Sequence, residues 1–285
     1  MKATLVLSGG GSKGSFQCGA ERVLREEQGY EWERIFGVSI GAFNATFLGQ
    51  GHYQLLTELW GAMRESLVHR KNSPAWVAFK LLAGGAGFYD NRPSRELLRV
   101  YAEGRHFICP VHVGRVSLTT GAYEQVSNDS PEFFDAVWHS GTMPVIWSPI
   151  GPRAWVDGGM RNLTPLGDAM AYDPTEIVVI ACSSPNMREV ERPGSILSVA
   201  KRALVDIAVN EIMVGDVQEA LRLNHIVKQA SDAGLTLRNR EGKAYRYYPI
   251  TVIEPEEPLG DSMDFSQDNI RRSMRAGALA ARRGM

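Results

Sequence analysis

Gly37-Val38-Ser39-Ile40-Gly41 decides how this chain is read. Glycines two places before and two places after a serine suit a sharp strand-to-helix turn that lifts the hydroxyl clear of its neighbours. The surroundings fit that turn. Arg34 to Val38 reads as a short strand, and Ile40 to Leu48 reads as the helix that follows. On such a turn the backbone N–H of Ile40 would face the oxygen of a group attacked by Ser39.

Upstream stands a second glycine-rich turn, Gly9-Gly10-Gly11-Ser12-Lys13-Gly14, between the β-prone run Ala3 to Leu7 and a helix over Ser15 to Gln28. Backbone N–H groups at a helix N-terminus stabilise negative charge. That charge can be a cofactor phosphate or the oxyanion of an acyl-transfer intermediate. Gly9, Gly11 and Gly14 also satisfy the Gly-x-Gly-x-x-Gly dinucleotide pattern, which wants a carboxylate about 20 residues on. Glu31 and Glu33 stand near that distance, beyond the first helix. A phosphate-binding P-loop is excluded because Lys13 precedes Gly14 instead of following it. Downstream, Trp155-Val156 runs into Asp157-Gly158-Gly159, which places a carboxylate on a tight turn.

Taken together, these three motifs and their order resemble the patatin-like phospholipase family. Ser140-Gly141-Thr142-Met143-Pro144 and the run from Asp157 to Pro165 add to the resemblance, which covers residues 3 to 181 well and the C-terminal third poorly. It implies a Ser-Asp dyad without histidine, with Ser39 as nucleophile and Asp157 as base. It implies an oxyanion hole from the loop Gly9, Gly10, Gly11, Ser12, Lys13 and Gly14, with Ile40 beside it, and Lys13 at the family's basic loop position. Gly37 and Gly41 complete the elbow, and Gly158 and Gly159 the aspartate turn. Of the six histidines, His225 alone follows Asp157, and its Leu223-Asn224-His225-Ile226 setting reads as structural.

The expected fold is α/β, a three-layer sandwich with a mainly parallel central sheet. Glu176 to Ala181 reads as a buried parallel strand, Val111 to Val126 as two strands joined by a turn, and Tyr247 to Ile253 as a late strand. Apolar spacing predicts helix over 195–225, as one helix or two in series, and a C-terminal helix over Asp268 to Arg283. With no Pro/Gly/Ser-rich linker, residues 1–285 are read as a single domain whose part from about 190 is helical.

Composition narrows the classes. The chain has 285 residues, 44% hydrophobic, with a formal net charge of -1, so no global basic field points to nucleic acid. Cys18, Cys109 and Cys182 form no disulfide framework or zinc-binding pair, which fits a reducing, cytoplasmic compartment. No stretch reaches the about 20 apolar residues of a membrane span, and no signal peptide is visible, although export without one is compatible with the pattern. No metal and no organic cofactor is called for.

The expected activity is lipid acyl hydrolysis, phospholipase A-type, at a lipid or membrane surface. The alternatives are a soluble carboxylester or thioester hydrolase with the same dyad, a catalytically silent lipid-binding relative, and a Rossmann-type dinucleotide-binding protein. Two segments offer lipid contact: the apolar, glycine-hinged stretch Ser73 to Tyr89, and the arginines Arg271, Arg272, Arg275, Arg282 and Arg283. Acyl position, headgroup and oligomeric state are not encoded in these patterns.

Overall fold

Strand β1 (Lys2–Leu7) is buried on both faces from Ala3 onward, as its mostly apolar run suits a central parallel strand. A computed structural model of the chain describes residues 1–71, 73, 76 and 86–284. The main sheet holds seven strands. Six run in the order β10 (Ile250–Ile253), β9 (Ile177–Ile180), β1, β2 (Glu31–Val38), β5 (Val111–Ser117), β6 (Tyr123–Ser127), and β8 (Trp155–Asp157) also pairs with β5. The pairs among β10, β9, β1, β2 and β5 are parallel, and β6 and β8 run antiparallel to β5. A small second sheet joins β3 (Arg70–Lys71), β4 (Gly87–Asp90) and β7 (Val145–Trp147).

Side chains of the main sheet alternate between two cores, as strand periodicity demands. Leu5, Leu7, Ile35, Val178 and Ile180 face a layer of helices: α1 (Gly14–Glu26), α2 (Ile40–Gly49), α3 (Tyr53–Ala62) and, further along the chain, three more. After the single turn α4 (Glu65–Val68), these three are α5 (Arg92–Tyr101), α6 (Phe133–Ser140) and the C-terminal helix. Val6, Phe36, Ile177 and Val179 face the opposite side, where α7 (Leu166–Met170) and a long helical run pack. The fold is therefore the expected three-layer α/β sandwich.

The helix expected over 195–225 is one continuous run with a defect in it. It begins as α8 (Ile196–Ala200), widens into a π-helix over Lys201–Ile207, and continues as α9 (Ala208–Asp232). π-Helical turns accompany functional sites because the extra residue redirects side chains. The chain ends in α10 (Gln267–Arg283), which lies against α1. Because β1 and β2 are parallel and pair Leu7 with Gly37, the glycine loop and Ser39 leave the sheet at the same end.

Candidate active site

Ser39 occupies the corner between β2 and α2 with φ 57° and ψ -127°, a conformation that costs a non-glycine residue on the order of 1–3 kcal/mol. Flanking glycine makes the corner possible. A methyl group on Gly41 would stand 2.3 Å from the Leu7 carbonyl oxygen, and one on Gly37 would stand 2.3 Å from the Gly41 carbonyl oxygen. Both backbone groups of Ser39 are tied. Its N–H donates to Ser140 Oγ at 2.8 Å, and its carbonyl accepts from Ala42 N at 3.0 Å.

Asp157 ends β8 and is fully buried. Its Oδ1 accepts from Gly159 N at 2.8 Å as the chain enters the short turn Gly158–Met160. The Ser39 hydroxyl is near enough to the same carboxyl to favour its charged form. Burial dominates the acid's behaviour, pushing its pKa up to about 7 against the opposing pull of the Ser39 hydroxyl and the Gly159 N–H. A carboxyl tuned to this range suits proton transfer near neutral pH far better than a free aspartate.

The glycine loop is more selective than its composition suggests. Gly9 N–H donates to the Leu163 carbonyl (3.2 Å), Ser12 N–H to the Ser262 carbonyl (2.8 Å) and Lys13 N–H to the Gly10 carbonyl (3.3 Å). Gly14 N–H bonds the carbonyls of Gly11 and Ser12. The expectation that all six loop residues offer N–H groups is corrected accordingly, because four of those donors already have carbonyl partners. Among the described residues, the N–H groups of Gly10, Gly11 and Ile40 carry no such bond. Gly11 has φ 60°, and a side chain on it would meet the Ser262 carbonyl.

Ser39, Asp157, Gly9, Gly10, Gly11, Lys13 and Ile40 line one cavity of about 220 Å³. Phe43, Leu98, Trp138, Met143, Val205 and Val209 supply apolar wall. At a polar end, the Lys13 ammonium lies 3.4 Å from Ser183 Oγ. Burial lowers its pKa, with Cys182, Asp206 and Asp261 pulling the other way. Arg202, Val205 and Asp206 reach the cavity from the π-helical turn, and Asp261 from the loop before α10.

This wall is what sequence reasoning missed. Residues 183–210 and 258–265 give helical or loop patterns with no chemical signature, and only folding brings them over Ser39. Ser140 was also missed as a partner of Ser39, although it lies in the quoted Ser140-Gly141-Thr142 stretch.

Other expectations meet the structure less directly. No histidine lines the cavity, and His225 is exposed on α9. Glu31 and Glu33 lie at the start of β2, about 26 and 20 Å of strand away from its Ser39 end at roughly 3.3 Å per residue. They are at the wrong end of the sheet for a ribose beside the glycine loop, so the dinucleotide alternative fails. Of the apolar segment 73–89, residues 74, 75 and 77–85 lie outside the described residues. Arg271, Arg282 and Arg283 pair with Asp268, Glu27 and Glu256, which makes much of that basic face locally neutralised. Among the described residues no helix is long and apolar enough to cross a membrane, and no group of His, Cys, Asp and Glu is arranged to hold a metal ion.

A family model described as patatin-like phospholipase matches residues 5–170. Twelve chains of solved structures match. One is VipD from Legionella pneumophila, at 16% sequence identity and a TM-score of 0.47. The match covers 99% of this chain and 66% of that one, so the chain spans just under two thirds of that protein's length. No curated protein sequence matches.

Proposed function

The chain belongs to the patatin-like phospholipase family, and from that premise we propose a lipid acyl hydrolase in which Ser39 is the nucleophile and Asp157 the general base. The observation that carries this reading is that the Ser39 hydroxyl acts directly on the ionisation of the buried Asp157 carboxyl, both of them lining one cavity with apolar walls.

In this mechanism Ser39 Oγ attacks the ester carbonyl carbon while its proton passes to Asp157. The carbonyl oxygen becomes an oxyanion facing the unbonded N–H groups of Gly10, Gly11 and Ile40. Asp157 returns the proton to the departing alkoxide as the ester C–O bond breaks, leaving acyl-Ser39. Water then attacks the acyl carbon and gives a proton to Asp157. Collapse frees the fatty acid and restores the Ser39 hydroxyl. In the acyl-enzyme Ser39 no longer has a hydroxyl proton to offer, so one of the two influences that lower the pKa of Asp157 is gone. The carboxylate that activates water is then a stronger base than the one that activated serine.

An apolar wall of phenylalanine, leucine, tryptophan and valine side chains suits a fatty-acyl chain. Both the family-matched part and the part beyond residue 183 line the cavity, which supports reading the described chain as one hydrolase domain. Three unpaired cysteines support a reducing, cytosol-like compartment from which the enzyme meets lipid peripherally.

The test is a fluorophosphonate probe on the parent and on Ser39→Ala, with turnover of phospholipid vesicles and of a short-chain ester. Labelling and vesicle turnover in the parent, both lost in Ser39→Ala, are expected. An unlabelled parent removes the serine nucleophile. Ester turnover without vesicle turnover shifts the substrate to soluble esters or thioesters.

A further inference from the structure

One turn touches both members of the proposed dyad. Ser140, the last residue of α6, is fully buried, and its Oγ accepts the Ser39 N–H at 2.8 Å. Two residues on, the Thr142 carbonyl accepts the Asp157 N–H at 2.9 Å. Gly141, between them, faces the cavity.

The turn is itself fixed. Thr142 N–H donates to the His139 carbonyl at 2.9 Å, and its hydroxyl donates to the Trp138 carbonyl at 2.8 Å. Asn91, just before α5, donates its Nδ2 to Thr142 Oγ1 at 2.9 Å. Trp138 Nε1 donates to the Asn91 carbonyl at 3.3 Å. All side-chain atoms in this set that hold the turn are paired.

Resting on the proposed dyad, we infer that Ser140, Thr142 and Asn91 are positioning residues that set the separation of Ser39 from Asp157. The physical need is specific. Ser39 holds a backbone conformation that persists only when its surroundings over-determine it. Asp157 reaches the site from a short antiparallel strand on a different part of the chain. Nothing covalent nearby links them, so the distance between hydroxyl and carboxyl depends on a shared support. Displacement of about 1 Å at a reacting group can cost about 100-fold in rate.

Burial, the Ser39 hydroxyl and the Gly159 N–H govern the ionisation of Asp157, and no charged side chain contributes. Arg115, opposite Asp157 in the β5–β8 ladder, directs its guanidinium to Glu124 and Glu132. A Ser39 that drifts from Asp157 therefore removes one influence that lowers the acid's pKa. The acid limb of the rate profile would move to higher pH, a change that a merely structural loss does not produce.

The experiment compares the parent, Ser140→Ala, Asn91→Ala and the double variant. It measures fluorophosphonate labelling rate, kcat and KM on a short-chain ester, the pH profile and the melting temperature. Folded Ser140→Ala is expected to lose about 10- to 100-fold in labelling rate and kcat with KM within about twofold. Its acid limb should move up, and Asn91→Ala should fall severalfold. The double variant should lose less than the product of the two single losses, because both act on one turn. Parental labelling and kcat in Ser140→Ala, a loss confined to KM, or full multiplicativity in the double variant overturns the inference. If Ser140→Ala does not fold, parental kcat in Asn91→Ala overturns it, and a severalfold fall with a raised acid limb supports it. An unlabelled parent overturns the dyad and this inference together, whereas a labelled parent with an unimpaired Ser140→Ala overturns the inference alone.

Discussion

The Ser39 hydroxyl and the Asp157 carboxyl line the same cavity, and that carboxyl is fully buried and accepts the Gly159 N–H. Withdrawal from water raises the acid's pKa to about 7, while the Ser39 hydroxyl and the Gly159 N–H favour the charged form. From this balance follow statements about rate and about stability.

The rate should follow ionisation of Asp157. Only the carboxylate accepts a proton, so kcat/KM on a short-chain ester should rise about tenfold per pH unit below pH 6 and level above about pH 8. Among the carboxyls that line the cavity, burial raises that of Asp157 to about 7, in the range where this acid limb falls. A profile flat from pH 5 to 8 contradicts the assignment.

Stability should carry the same signature with opposite consequence. The folded pKa, about 7, lies above the unfolded value of about 3.9, so the folded state binds more protons between those values. The contribution of Asp157 to stability is present below about pH 4 and is lost as pH rises through 7. Asp157→Asn, which cannot ionise, should match the parent near pH 4 and exceed it at pH 8 by on the order of 4 kcal/mol. It should lose activity by at least about 1000-fold. Calorimetric melting at the two pH values checks the first statement and ester turnover the second.

The oxyanion loop should tolerate no side chain at Gly10. A methyl there would stand 2.4 Å from the Cβ of Cys182, displacing one of the free N–H groups. Gly10→Ala should lower kcat by about 10- to 1000-fold with a smaller effect on KM. Adding Cys182→Gly removes the clash and should restore part of kcat. Equal activity in the single and double variants would show that the loop N–H is not the cause.

Away from the cavity, α1 and α10 approach through glycine. A methyl on Gly19 would stand 2.0 Å from the Met274 carbonyl oxygen, and one on Gly277 would stand 2.0 Å from the Phe16 carbonyl oxygen. Backbone cannot yield as a side chain can, so Gly19→Ala or Gly277→Ala should cost about 1–3 kcal/mol. Below the melting transition, kcat/KM should be unchanged. Thermal denaturation alongside ester kinetics separates the two effects.

The reach of sequence reading differs by element. The unbroken apolar run of β9 announced a strand buried on both faces, and Gly37 and Gly41 announced a crowded corner at Ser39. Two readings needed the fold. The loop Gly9 to Gly14 read as a source of N–H donors, and Leu163 and Ser262 occupy those of Gly9 and Ser12. The helical spacing after residue 195 was legible, but not its π-helical turn or its place in the cavity wall.

By itself, the sequence determined the α/β alternation, the family and the candidate pair Ser39 and Asp157. These rest on local periodicity and on residue types that a tight turn demands. Tertiary structure alone decided which donors stay free, how far Asp157 is withdrawn from water and that Ser140 holds the Ser39 N–H. Each of those depends on atoms brought together from distant parts of the chain, and a hydrogen-bond partner or a desolvated carboxyl exists only once that packing has formed.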